Sequence, residues 1–264
     1  MNNFSKAFAR VRAEKRAAFM PFLVAGDPDV EKSLAAIRLV SKHADMLELG
    51  FPYSDPLADG PTIQAADQRA LRSGMTTDKV FELVEQTRAF TDVPITVLVY
   101  ANLVYQQGIK RFYERAKEAG IDGVLVPDVP LEEAKPFVAA ARTYGIDPIF
   151  LVAQTTTSER LEKILKRARG YLYLVSVLGV TGKREVFSRQ TVDFIRRVRK
   201  ETTLPLAVGF GISTRKQAKE FAKAGADGVI VGSALVDLLQ KEGTGSSVDS
   251  FLKQFSRVPL TPRS

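Results

Sequence analysis

AGIDGVLV at residues 119–126 returns almost letter for letter as AGADGVIV at 224–231. In each copy Ala-Gly closes an amphipathic stretch and Asp-Gly leads into an apolar run, so the pair reads as one helix-to-strand turn used twice. Working outward, apolar runs recur at 19–25, 45–50, 95–101, 123–127, 148–153, 172–176, 206–211 and 228–232. They are nearly uniformly apolar rather than alternating, the pattern of parallel strands covered on both faces. Between them lie amphipathic segments such as VEKSLAAIRLVSK (30–42), KRFYERAKEAG (110–120), SERLEKILKRARG (158–170) and RKQAKEFAKAG (215–225), with Gly120 and Gly225 placed as C-caps. The two echoes open the fourth and eighth strands, which suggests two similar half-barrels, although a repeated turn also arises from local packing alone. Eight units in 264 residues match the size of a closed barrel, and a doubly wound open sheet is the main rival. The expectation is therefore an α/β fold, a (β/α)8 TIM barrel occupying 1–264 as one domain, with an extra N-terminal helix over 5–16 and a frayed tail at 257–264.

Composition removes several chemistries. With no cysteine, disulfides, thiolate metal sites and a cysteine nucleophile are excluded, and a reducing cytoplasm becomes the default compartment. A single histidine, His43, argues against a His-rich metal centre or a Ser-His-Asp triad, so no metal is expected. His43 ends the first barrel helix, on the face opposite the strand C-termini, and reads as a helix C-terminal cation. The N-terminal segment is charged and amphipathic, and no apolar run is long enough to span a membrane. A net charge of +8 raises the question of nucleic acid, but the basic residues are spread through 160–169, 196–200 and 216–223 among Glu159, Glu162, Glu201 and Glu220. Solvated helix faces have that pattern, so neither a nucleic-acid nor a membrane partner is expected. A phosphorylated small substrate suits the same sign.

Barrel chemistry sits at the C-terminal ends of strands. None of the eight runs contains lysine, which disfavours imine formation. Glu48, inside the apolar run 46–50, is a carboxylate in a setting that raises its pKa towards neutrality and suits acid–base work; the plain alternative is a partner Lys or Arg, which no strand supplies. The loop FPYSDPLADGP at 51–61 looks shaped by Pro, Gly and Asp, with a helix expected from about Thr62. Asp55 before Pro56 fits a turn former, and Asp59 before Gly60 fits either a turn residue or a second carboxylate facing the pocket. VGFGIS at 208–213 and VGSAL at 231–235 close the last two strands with glycines, and a helix starting near Ser233 would aim its positive end at a phosphate. The sixth loop, 178–187, carries Gly179 and Gly182 as hinges, so it reads as a lid or as an ordinary surface loop.

The segments Phe22 with AGDP (25–28), LELGFPYSDPLADGPTIQ (47–64), GVTG (179–182), VGFGIS (208–213) and GVIVGS (228–233) together resemble the tryptophan synthase alpha subunit over almost the whole chain. YANLV at 100–104 looks like the enterobacterial variant, while QTTT at 154–157 departs from the proline-containing form common elsewhere. The resemblance implies a lyase of tryptophan biosynthesis that cleaves indole-3-glycerol phosphate to indole and glyceraldehyde 3-phosphate by a cofactor-free retro-aldol reaction. It makes Glu48 the general acid/base and Asp59 the group holding the indole N–H. Phe22, Leu98, Tyr100, Leu125 and Tyr173 would wall the indole, and Gly182, Gly211, Gly232 and Ser233 would hold the phosphate. Thr181 would belong to the lid and meet Asp59 on closure. Asp55, Asp128 and Pro130 would face a beta subunit, which carries pyridoxal phosphate in an alpha2-beta2 assembly and receives indole through a tunnel. The rival functions are another phosphate-binding barrel enzyme of amino-acid biosynthesis and a catalytically silent regulatory subunit that retains the ligand site.

Overall fold

The computed structural model describes residues 2–175, 184–209 and 211–260, the first five of the middle stretch by backbone alone. The strands are β1 Ala18–Val24, β2 Leu47–Gly50, β3 Ile95–Leu98, β4 Gly123–Leu125, β5 Asp147–Ala153, β6 Leu172–Val175, β7 Leu206–Gly209 and β8 Gly228–Val231. Each pairs in parallel with the next, and β1 also pairs with β8 from Ala18↔Gly228 to Pro21↔Val231. That last ladder closes the barrel and excludes the open sheet. The helices are α1 Asn3–Ala13, α2 Val30–Ser41, α3 Pro61–Arg72, α4 Thr77–Arg88, α5 Ala101–Gln107, α6 Ile109–Glu118, α7 Lys135–Thr143, α8 Ser158–Leu165, α9 Arg184–Glu201, α10 Arg215–Ala224, α11 Ser233–Glu242 and α12 Ser246–Phe255. Among the described residues no helix is long and apolar enough to cross a membrane.

The echoed octapeptide has a physical cause. Asp122 and Asp227, its central acids, each reach back to the start of the preceding strand, accepting the N–H of Ile95 at 2.8 Å and of Leu206 at 3.0 Å. Each also binds an arginine from the last turn of the helix before that strand, Arg88 of α4 at 2.6 Å and Arg199 of α9 at 2.8 Å. A charge-assisted clamp of this kind ties strand, helix and next strand at the N-terminal end of the barrel. Gly120 and Gly225 turn the chain out of the helices at φ 87° and 116°, as the sequence pattern anticipates.

The N-terminal helix is present but begins earlier than 5–16. Asn2 accepts the Ser5 N–H at 2.8 Å and caps it, and Lys15, at φ 54°, lies beyond its end. Its buried face, Phe4, Ala7, Phe8 and Val11, covers the strand N-termini: Phe4 meets Tyr171 edge-on at 5.5 Å, and Asn3 donates to Asp122 at 2.7 Å. With that end plugged, chemistry is left to the other.

Two expectations need correction. Strand three stops at Leu98 instead of running to residue 101, because Asp128 accepts the Ala101 N–H at 2.9 Å and the chain enters α5 there. The tail is docked as far as Leu260: Val258 is fully buried, and Ala17 N–H to Val258 O (2.8 Å) and Leu260 N–H to Lys15 O (2.9 Å) bracket an antiparallel bridge between Arg16 and Pro259. His43 lies just beyond the end of α2, with Nε2 2.7 Å from Oδ1 of Asp249 on α12.

Candidate active site

Glu48 lies in β2, in register with Phe22 of β1 and Thr96 of β3. The apolar residues around it in the sequence put it on a strand, and barrel closure then leaves its carboxyl 0% exposed. Neither oxygen has a hydrogen-bond partner among the described residues. Burial, reinforced by the charge of Asp59, pushes this carboxyl up to about 8. It therefore keeps its proton at neutral pH yet titrates close enough to exchange it.

Asp59 ends the loop that follows β2. The loop is braced by its own turns, Leu57 N–H to Asp55 O at 2.9 Å and Asp59 N–H to Pro56 O at 3.0 Å, and by the Gln64 side chain on the Asp59 carbonyl at 2.9 Å. The Tyr100 hydroxyl accepts the Ala58 N–H at 3.0 Å and donates to Asp59 Oδ2 at 2.8 Å. Burial raises the Asp59 pKa and the Tyr100 hydrogen bond lowers it, with burial the larger effect. Asp59 is thus a carboxylate at the pocket with a dedicated donor, and not only a turn residue.

A cleft of about 240 Å³ opens at the C-terminal end of the barrel. Phe22, Asp59, Leu98, Tyr173, Gly211, Gly232 and Ser233 line it, so seven residues singled out in the sequence converge. Glu48 itself is not part of this lining, but it is near: burial first, and then the Glu48 carboxyl, raise the hydroxyl of Tyr173, which lines the cleft. Tyr173 reaches inward only because residue 209 is glycine, since any Cβ there would run into its ring. Gly211 adopts φ 74°, a left-handed conformation that favours glycine. Across the cleft, α11 begins at Ser233 with Gly232 as N-cap and no side-chain cap, leaving backbone donors of its first turn to meet an anion.

Some expectations land elsewhere. Tyr100 meets the site through its hydroxyl on Asp59, with its ring stacked on Tyr53 at 4.9 Å, and it does not line the cleft wall. Leu125 is buried at the end of β4, again outside the cleft lining. Thr181, Gly182 and most of the sixth loop lie outside the described residues. Asp55, Asp128 and Pro130 are exposed, and Leu57 beside them is 94% exposed. Asp128 also has an internal duty, capping α5.

Sequence reasoning missed Ile63, Ile212, Ser213, Ile230 and Ala234, which complete the cleft, and it missed Asp67. Asp67 had a signal: it belongs to the buried stripe Ile63, Ala66, Asp67, Ala70 of α3, a carboxylate at an apolar helical position. Among the described residues no three His, Cys, Asp or Glu side chains converge as a metal-binding group.

Comparison with known proteins bears on this arrangement. The family model described as tryptophan synthase alpha chain matches residues 8–257. The tryptophan synthase alpha chain of Methanoregula boonei is 50% identical over 98% of this chain and 97% of its own length. That of Methanothermobacter thermautotrophicus is 55% identical over 84% and 83%. Among solved structures, tryptophan synthase from Mycobacterium tuberculosis superposes with a TM-score of 0.90 at 36% identity, covering 98% of this chain and 99% of that one. The tryptophan synthase complex from Pyrococcus furiosus gives 0.82 at 37% identity, covering 92% and 97%.

Proposed function

The chain belongs to the tryptophan synthase alpha chain family, lyases that split indole-3-glycerol phosphate into indole and glyceraldehyde 3-phosphate, and from that membership we propose that Glu48 and Asp59 carry the cleavage. The observation that supports this most is the fully buried carboxyl of Glu48, without a hydrogen-bond partner among the described residues and within electrostatic reach of Asp59 at the cleft.

The chemistry follows from what each group can do. Glu48, protonated at neutral pH, delivers its proton to C3 of the indole ring, and the ring nitrogen takes up the positive charge. Asp59 accepts the indole N–H and stabilises that charge, with Tyr100 holding its carboxylate in place. Glu48, now a carboxylate, removes the proton from the glycerol hydroxyl next to the ring. The carbon–carbon bond breaks, its electrons return to the ring, and glyceraldehyde 3-phosphate and indole separate with Glu48 protonated again. Phe22, Leu98 and Tyr173 supply apolar walls for the indole, and the turn at Gly211 and the start of α11 at Gly232 and Ser233 supply donors for the phosphate. All of these steps run on this chain's own side chains, without a cofactor.

The partner is a beta subunit. We assign it the exposed face around Asp55, Asp128 and Pro130, in an alpha2-beta2 assembly whose beta subunit holds pyridoxal phosphate and consumes the indole. Thr181 and Gly182 keep the lid and phosphate roles that the resemblance implies. A cysteine-free chain suits the cytoplasm.

The test is to incubate the purified chain with indole-3-glycerol phosphate and follow both products. Indole and glyceraldehyde 3-phosphate in equal amounts support the reading. Substrate binding with neither product overturns it in favour of a silent ligand-holding subunit.

A further inference from the structure

Ser213 lines the cleft at the turn after β7, and it is tied to a side chain that does not belong to that lining. Gln217, in the first turn of α10, directs its amide oxygen back at the turn: Oε1 accepts the N–H of Ser213 and the N–H of Thr214, each at 3.1 Å. Both hydroxyls meet the same oxygen, Thr214 Oγ1 at 3.0 Å and Ser213 Oγ at 3.4 Å. Thr214 Oγ1 accepts the Gln217 N–H in return at 3.3 Å, which completes a capping box at the start of α10. On the other side of Ser213, Ile212 is buried and Gly211 holds φ 74°. The turn is thus pinned on both flanks, by a buried apolar side chain on one and by a single amide oxygen on the other.

Helix capping alone does not ask for glutamine here. A capping box works with glutamate as well, and four donors gathered on one acceptor favour a carboxylate, because a charged acceptor makes the stronger hydrogen bonds. The neighbourhood separates the two. Gly211 and Ser213 line the same cleft as Gly232 and Ser233, where the phosphate is assigned. A phosphate monoester is close to doubly charged at pH 7. A carboxylate one hydrogen bond away from Ser213 would stand inside the screening length of about 10 Å at 0.1 M salt and repel it. The amide oxygen makes the same contacts without that charge. The N–H groups of Ser213 and Thr214 are engaged within the box, whereas α11 has no side-chain cap and keeps the donors of its first turn for a ligand.

We propose that Gln217 is a positioning and specificity residue for the anionic end of the substrate: its amide oxygen holds the turn 211–214 in shape through Ser213 and Thr214, and its neutrality keeps negative charge away from the phosphate. This rests on the phosphate assignment made above.

Two variants separate shape from charge. Gln217→Glu keeps the acceptor and adds the charge, whereas Gln217→Met keeps the length and removes the acceptor. In calorimetry on the full chain with glycerol phosphate, Gln217→Glu should bind about fivefold or more weakly than the wild type at about 0.05 M salt. The gap should close to within about twofold at about 1 M salt, where the screening length falls to about 3 Å. Gln217→Met should bind about two- to tenfold more weakly at both salt concentrations, the range of one lost neutral hydrogen bond. Indole, which carries no phosphate, should bind both variants as it binds the wild type, and in turnover the loss should fall on KM rather than on kcat. Amide hydrogen exchange on the free chain gives a readout without ligand: residues 213 and 214 should exchange about fivefold faster in Gln217→Met and no faster than the wild type in Gln217→Glu. If Gln217→Met does not fold, Gln217→Ala removes the same acceptor with a better helix former. The proposal is overturned by unchanged glycerol phosphate affinity in either variant, by a gap in Gln217→Glu that salt does not close, by equal weakening towards indole, by a loss confined to kcat, or by unchanged exchange at 213 and 214 in Gln217→Met. A wild-type chain that does not bind glycerol phosphate overturns the phosphate assignment instead, and the exchange comparison still decides whether Gln217 holds the turn.

Discussion

Replacing Glu48 by glutamine keeps the size of the side chain and removes its proton exchange, and the structure gives this change two measurable consequences. The first is catalytic. General acid–base catalysis contributes on the order of 10²–10⁴-fold, so Glu48→Gln should lose at least about a hundredfold in turnover while still binding substrate. The second concerns stability. The carboxyl rises from 4.5 to about 8 on folding, so the native state binds its proton more tightly than the unfolded chain does. For an acid raised in this way, the stabilising contribution is fully present below the unfolded value and is lost as pH climbs through the folded one. At about 1.36 kcal/mol per unit, the wild type should lose on the order of 3–4 kcal/mol relative to Glu48→Gln between pH 5 and pH 8. The new amide has no partner there among the described residues, which costs about 1–3 kcal/mol at every pH and so leaves the difference between the two pH values intact. Indole release and urea unfolding at pH 5 and pH 8, on both proteins, read the two effects. Retention of more than about a tenth of wild-type turnover would refute the acid–base role. A stability difference that does not move with pH would refute the buried, protonated carboxyl.

Asp59→Asn should cut turnover by about a hundredfold or more, since a neutral amide cannot balance charge on the ring nitrogen; wild-type kinetics would return Asp59 to the role of a turn residue. Gly232→Asp should weaken glycerol phosphate binding at least tenfold in calorimetry, because it adds a negative charge at the start of α11 and its Cβ would stand 3.2 Å from the Phe22 ring. Unchanged affinity would remove the phosphate from that loop. At the opposite end of the barrel, burial and then Asp122 raise Asp147 to about 6. Asp147→Asn should therefore be more stable than the wild type above that pH, on the order of 1 kcal/mol after allowance for partial exposure, with the gain vanishing as pH falls to 4. Parallel melts at pH 4 and pH 8 check it.

Most of the barrel was legible because strands buried on both faces must be apolar throughout, and helices between them must be apolar on one side only. The same rule exposed Glu48, since a carboxylate inside such a strand breaks the pattern. Strand three was read too long because Val99 and Tyr100 continue the apolar run, while the Asp128 side chain that starts α5 at Ala101 comes from 27 residues further along the chain. The docked tail escaped notice because Val258 and Leu260 are too few to form a pattern, and their partners, Lys15 and Ala17, lie at the other end of the sequence. Side-chain direction was the deepest gap. Tyr100 is aromatic and beside a strand end, which suits a pocket wall, yet its hydroxyl serves Asp59. Asp67 was readable from helical periodicity, and attention confined to strand ends passed over it.

The central claim is that a carboxyl sealed in the barrel holds its proton at neutral pH and gives it to the substrate. Difference infrared spectroscopy of the wild type against Glu48→Gln observes that proton directly, through the carbonyl stretch of a protonated carboxylic acid. The account predicts a protonated-acid band at pH 7, absent from the variant and lost with a midpoint near pH 8. A Glu48 already ionised at pH 6 would contradict it.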